Sequence, residues 1–337
     1  MALVSVLPAG SPIAEVHVSI SDHVSSFAGL PVVNFELPDE DDDELPEPLP
    51  DDPASVAWRL ALEDFEADAA DFGELVEGWL ERVPGDSVRA LIIGNWGSAY
   101  EEAPPIDLLT ALAPRLPGLR ALFLGEMTFE ECEISWICHR DITPLLAAWP
   151  GLEVLRVRGG RGSEGDGLKL SPVRHAALRE LAFESGGLPA SVVRAVGESE
   201  LPELTHLELW LGEEEYGGDA TIADLGSILA ADKWPRLRHL ALCDAEIADK
   251  VAAAVATAPV LTALKSLDLS QGTLVDADAE VLLSGKPLTH LRRLDLHHNY
   301  LSEPMAARFV AELPGVEVDL SDQQTEDEHG RYTAVSE

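Results

Sequence analysis

Basic residues are scarce in this chain. Its 337 residues carry 61 Asp and Glu against 23 Lys and Arg, a formal charge of -38, and no Lys or Arg precedes Arg59. Contact with nucleic acid needs clustered Lys and Arg to neutralise phosphates, and docking on an anionic bilayer surface needs the same sign of charge. Neither partner is expected. Cysteine is nearly absent as well: Cys132, Cys138 and Cys243 are too few for a disulfide framework. Cys132 and Cys138 have no second ligand pair that would complete a zinc site. No stretch reaches the roughly 18 to 20 apolar residues of a membrane span. The opening MALVSVLPAGSPIAEVHVSI has no basic n-region, and its apolar run breaks at Pro8, so it is not expected to act as a secretion signal. These absences lead to the expectation of a reduced, cytoplasmic protein with no cofactor.

What is present is aliphatic and periodic. Hydrophobic residues make up 46% of the chain, enough for a sizeable core. LPVVNFE, Leu30 to Glu36, reads as a short strand, and SVAWRLALED, Ser55 to Asp64, alternates like a second. Between them ELPDEDDDELPEPLPDD, Glu36 to Asp52, combines like charges with proline and reads as a mobile acidic loop. DFGELVEGWLERV, Asp71 to Val83, places Phe72, Leu75, Val76, Trp79 and Leu80 on one helical face.

From Val88 a pattern recurs: VRALIIG, LRALFLG, LEVLRVR, LRELAFE, LTHLELW, LRHLALC, LKSLDLS and LRRLDLH, with a degenerate ninth copy, GVEVDLS, from Gly315. Each unit is an LxxLxL strand, and amphipathic helices such as ADKVAAAVATA and EPMAARFVAELPG follow, with Pro-Gly punctuating several returns. One such unit cannot fold alone. Its four buried leucines contribute roughly 6 to 12 kcal/mol, whereas ordering its backbone costs roughly 27 to 54 kcal/mol. Stacked neighbours share each leucine layer, so stability belongs to the array. The expected organisation is an N-terminal segment (1–54), a strand-plus-helix cap (55–87), a repeat array (88–321) and a flexible polar tail (322–337).

LRRLDLHHNYLSEPMAARFVAELPG and LKSLDLSQGTLVDADAEVLLSG resemble the leucine-rich-repeat superfamily, in its ribonuclease-inhibitor-like branch with helical outer faces. The N-terminal elements and the inserted WLGEEEYGGDA are similar to a bacterial set of such proteins. The resemblance covers about Val88 to Ser321. It implies an α/β solenoid, a horseshoe with a parallel concave sheet and convex helices, and protein–protein recognition on the concave face. Two departures stand out: the repeats at Leu119 and Leu204 are long, and only one repeat has the Asn-x-Leu ending, at Asn299 and Leu301.

Side chains alternate along a strand, so the residues between the leucines belong to the opposite face. In order, that face presents Ala90, Ile92, Ala121 and Phe123, then Arg156 and Arg158, then Glu180, Glu184, His206, Glu208 and Trp210. His239, Asp268, Arg293, Asp295 and His297 complete it. His206 and His239 should be neighbours, and Asp268, Asp295 and Asp319 should form a row whose mutual repulsion favours a basic partner side chain or a cation. Asn299 should turn inward and bond backbone groups at the turn, with His298 in the turn itself. The expected partner is a protein or peptide, possibly basic, held by Phe123, Arg156, Arg158, His206, Glu208, Trp210, His239, Asp268, Arg293, Asp295 and His297, with no catalytic residue and no metal. The alternative is a metal-dependent hydrolase, or an accessory subunit of one, built on His239, Asp268, Asp295 and His297. Three other motifs carry less: HRD at His139 lacks the rest of a kinase loop, GGRGSEGDG at Gly159 lacks a P-loop Lys-Ser/Thr pair, and GEEEYGGD at Gly212 lacks EF-hand spacing.

Overall fold

A computed structural model describes residues 20–37, 48–65, 67–161, 167–230, 232–328 and 330–335. The opening residues 1–19 and residues 38–47 of the acidic stretch 36–52 lie outside them, as do residues 162–166 of the glycine-rich stretch. Twelve strands form one sheet in sequence order. A short antiparallel pair, β1 (Ser26–Phe27) and β2 (Leu30–Phe35), starts it, and every later neighbour is parallel. The remaining strands are β3 (Ala57–Leu60), β4 (Ala90–Ile93), β5 (Ala121–Leu124), β6 (Val154–Arg158), β7 (Glu180–Glu184), β8 (His206–Gly212), β9 (His239–Ala245), β10 (Ser266–Asp268), β11 (Arg293–Asp295) and β12 (Glu317–Asp319). Consecutive order with parallel pairing requires each connection to cross back over one face. Most carry a helix: α1 (Ala69–Arg82), α2 (Ile106–Ala111), α3 (Thr143–Ala148), α4 (Ala190–Glu198), α5 (Gly226–Ala230), α6 (Ala248–Val255), α7 (Asp276–Ser284) and α8 (Glu303–Glu312). The result is a solenoid-like mixed α/β fold.

The leucine register organises the core. Leu91, Leu122, Leu155, Leu181, Leu207, Leu240, Leu267 and Leu294 pair side by side on adjacent strands, and none is more than 1% exposed. They belong to one continuous cluster that also contains Phe72, Trp79, Leu109, Leu145, Val192, Val251, Leu282 and Phe309 from the helices. Asn299 is fully buried. Its Nδ2 donates to the carbonyls of Leu269, Leu296 and His297, and its Oδ1 accepts from Leu274 N. One side chain thus satisfies backbone groups of two adjoining coils.

The sheet begins earlier and ends in more structure than the sequence suggests. β2 continues it beyond β3, so residues 55–87 are not its outermost layer. Among the described residues of the tail, Thr333 and Val335 are buried against the sheet face that points away from the helices.

Candidate functional site

The face opposite the helices divides into three parts. At its N-terminal end, Phe27, Val24 and Leu30 pack onto Ala57, Ala90, Ile92, Ala121 and Phe123. The Phe27 and Phe123 ring centroids are 5.7 Å apart. Phe123 is therefore fully buried by the chain itself, not displayed. Beside this patch Arg59 Nε donates to Glu126 Oε2 at 2.6 Å, and the Val24 amide and His23 converge on the same carboxylate. Hydrogen bonds to Glu126 and Glu131 hold His23 protonated, raised to about 9.

The middle part is an ion network. Arg156 reaches Glu184 at 2.5 Å, Glu208 at 3.0 Å and Glu180 at 3.5 Å. Arg158 donates to Glu184 Oε2 at 2.7 Å and to the Met127 carbonyl at 2.6 Å. Trp210 Nε1 donates to Glu208 Oε1 at 2.8 Å. Burial alone would lower the Arg156 pKa, but the three carboxylates win and hold it above its ordinary value. Burial likewise pushes the Glu208 carboxyl up, and Arg156 and His206 outweigh it, bringing it to about 2. Arg158 and Trp210, expected as open contacts, are buried. The reason is local. Arg158 is enclosed by the segment after β5, and Trp210 lies under Ile20, Ile134, Ala334 and Val335.

The C-terminal part stays half-open. His206 and His239 stack with centroids 5.7 Å apart, as strand adjacency requires. Glu208 Oε2 is 3.6 Å from His206 Nε2, an ion-pair distance but too long for a hydrogen bond, so neither ring nitrogen of His206 has a hydrogen-bond partner. Burial, then the neighbouring His206, lowers His239 to about 4. Farther along, Arg293 sits among Asp295 (2.9 Å), Glu317 (3.0 Å) and Asp319 (3.3 Å), and His297 Nδ1 is 2.8 Å from Asp295 Oδ1. Asp295, like Arg158, is buried rather than displayed. Burial and the charge of Asp295 raise Asp268 to about 6. Against its own burial, Asp295 is held at about 2 by His297 and Arg293.

Arg156, His206, Glu208, His239, Asp268, Arg293 and His297 are thus half-buried rather than covered. Around each guanidinium three carboxylates converge, with Arg158 sharing Glu184 in the first cluster and His297 pairing with Asp295 in the second. Among the described residues no three His, Cys, Asp or Glu side chains are arranged to hold a metal ion. His139 of the HRD motif is a core residue, 2.7 Å from the Arg158 carbonyl, and burial lowers it to about 4. Cys132, Cys138 and Cys243 are free thiols, and burial raises Cys132 to about 12. No helix among the described residues is long and apolar enough to cross a membrane.

The crystal structure of a Bacteroides fragilis protein from a structural genomics programme superposes on this chain with a TM-score of 0.75. The two share 30% identity over 84% of this chain and 78% of that one. The chain belongs to the family of that protein. The Bacteroides relative shares the strand-and-helix winding over most of its length, which is the frame that positions the strip described above. A complex of TLR13 with ssRNA13 aligns with a TM-score of 0.33 and 18% identity, over 74% of this chain and 38% of that one, too low to support a conclusion. No protein-family model matches the chain, and no curated protein is similar to it.

Beyond this family frame, the alternation rule placed residues on the correct face but missed what covers them. The covering residues, Ile20 to Phe27 and Thr333 to Val335, fall outside the repeats. The only sequence signal for the second is the β-branched pattern of YTAV in an otherwise polar tail.

Proposed function

We propose that the chain is a leucine-rich-repeat module of the ribonuclease-inhibitor-like kind, a horseshoe whose concave sheet face recognises a protein or peptide without catalysis. The observation that carries the reading is the half-open strip from Glu180 through His206, His239 and Ser266 to Arg293. It lies across five adjacent parallel strands, next to a face the chain otherwise covers for itself. A continuous polar surface on rigid strands suits recognition, because its side chains are held in place before a partner arrives. The carboxylates around Arg156 and Arg293 favour a partner with Lys or Arg side chains. Phe123, Arg158 and Trp210 support this surface from beneath rather than making contact.

The test is capture of a partner from the native lysate by three proteins: wild type, a His206→Ala/His239→Ala variant, and Val310→Asp on exposed α8. The expected result is a species retained by wild type and Val310→Asp and lost from the histidine variant. Equal capture by all three would overturn the assignment of the face.

A further inference from the structure

The last described residues are bound as a peptide would be. Arg331 to Val335 lie over the C-terminal ends of four neighbouring strands, β8 to β11. Tyr332 N donates to the Tyr300 hydroxyl at 3.0 Å, and that hydroxyl donates back to the Tyr332 carbonyl at 3.2 Å. Thr333 donates through both its amide and its hydroxyl to Glu213 Oε1, at 3.2 and 2.9 Å. Ala334 N donates to the Gln271 carbonyl at 3.0 Å, and Val335 N donates to Asp244 Oδ1 at 2.9 Å. All four backbone amides from Tyr332 to Val335 are therefore taken up. The acceptors come one each from the ends of β8, β9, β10 and β11. The Val335 side chain, 6% exposed, fills an apolar pocket of Ile134, Trp210, Ala241 and Cys243.

The receptor side is strained and costly to maintain, while the bound segment is reached through an exposed stretch of chain. Asp244 and Gln271 have φ of 50° and 63°, in the left-handed region that non-glycine residues rarely adopt. Asp244 is fully buried, and its Oδ2 has no partner. Burial pushes this carboxyl well above the usual carboxylate range; a buried acid of this kind is tolerated where donors reliably arrive, and strain of this kind collects at ligand clamps. Residues 325–328, 331 and 332 are exposed, so the buried part of the segment is confined to Thr333 to Val335. Segments with few buried contacts are the first to open.

We infer that this cleft, formed by Trp210, Glu213, Asp244, Gln271 and Tyr300, is a binding site for an extended peptide segment of a partner protein. The peptide would carry an aromatic, a hydroxyl, a small and an aliphatic residue in succession, and the chain's own Tyr332 to Val335 occupies the site until displaced. The inference rests on the recognition role proposed above and adds the chemistry of one partner segment. Hydroxyl specificity comes from Glu213, which accepts twice from one Thr. Aliphatic specificity comes from the pocket beneath Val335. The small residue lies between them, where Ala334 is half-buried. Tethering gives the internal segment a high effective concentration, so a free peptide competes poorly until that segment leaves.

The experiment measures fluorescence anisotropy with a labelled Gly-Arg-Tyr-Thr-Ala-Val peptide. It is titrated with the full chain, with a chain ending at Glu328, and with a full-length Val335→Asp variant that undocks the segment without removing it. Both altered proteins should bind the peptide at least about ten-fold more tightly than the full chain does. A peptide with Thr replaced by Val should lose that gain. Glu213→Gln in the shortened chain should weaken binding of the Thr peptide more than that of the Val peptide, which keeps only the amide contact to residue 213. Native circular dichroism with no peptide binding by either altered protein would overturn the inference and make the segment a fixed part of the fold. Loss of native circular dichroism in both would overturn it as well. A full-length dimer that dissociates on shortening would show a second copy to be the occupant, contradicting the assignment to a partner. Because the strip is tested separately through His206 and His239, failure here leaves the recognition face standing, and failure there leaves the peptide measurement readable.

Discussion

Replacing Glu184 with alanine should be among the most damaging single changes on the sheet face away from the helices. Glu184 is fully buried, and each carboxylate oxygen serves a different arginine: Oε2 accepts from Arg158 Nε at 2.7 Å and Oε1 from Arg156 Nη1 at 2.5 Å. Arg158 is 1% exposed, and its Nη2 already lacks a partner. Without Glu184 it keeps the Met127 carbonyl and the Phe123 ring 5.4 Å away, but no counter-charge, and a buried cation is left unneutralised. Removing one partner of a buried pair costs about 3 to 5 kcal/mol. Arg156 would retain Glu180 and Glu208, so most of the loss falls on Arg158. The assay is urea unfolding followed by tryptophan fluorescence and far-ultraviolet circular dichroism, comparing midpoints at a shared slope. Two comparisons sharpen it. Glu77→Ala breaks the exposed pair with Arg115 and should cost less than about 1 kcal/mol. Arg158→Met with Glu184→Leu removes both buried charges and should lie much closer to wild type than Glu184→Ala alone. A Glu184→Ala cost below about 1 kcal/mol, or a double variant no better than the single, would refute the reasoning.

Leu294→Ala should cost about 2 to 5 kcal/mol, because Leu294 is fully buried in the spine, while His298→Ala on the turn should cost about 1 kcal/mol or less; matching midpoint shifts would mean the register is wrong. Asn299→Ala should cost about 1 to 3 kcal/mol for each backbone group it leaves unpaired, read by the same unfolding curves. The raised pKa of His23 gives a pH test. Its contribution is complete below the unfolded value near 6.5 and is lost as pH rises through about 9, so wild type should lose its advantage over His23→Gln across that window in thermal melts. A difference that stays constant from pH 6 to pH 10 would count against the His23–Glu126 contact.

Much of the architecture is legible in the sequence because its information is local and repeated. The LxxLxL spacing places β4 to β12, and the period-two alternation assigns Leu155 inward and Arg156 outward without reference to any distant residue. Asn299 is legible for the same reason, since the turn it serves lies within one repeat and its neighbour. Alternation says which face a side chain joins, not whether that face is covered. Phe123 and Trp210 are buried by segments that have no periodicity and whose partners are far away in the chain: His23 meets Glu126 across 103 residues, and Thr333 meets Glu213 across 120. The repulsion expected of the aspartate row is offset by Arg293, which pairwise spacing omits and which reaches Asp295, Glu317 and Asp319 from within the same row of strands. Local pattern thus yields the scaffold and the facing of each residue, while long-range closure decides which of those residues remain available.

The proposed recognition face is tested most directly by a photo-crosslinking amino acid, benzoylphenylalanine, placed singly at His239 on the half-open strip and at Val310 on α8, 61% exposed, then irradiated in native lysate. A discrete protein adduct from position 239 and none from position 310 is the predicted result. An adduct from position 310 with none from position 239 would contradict it.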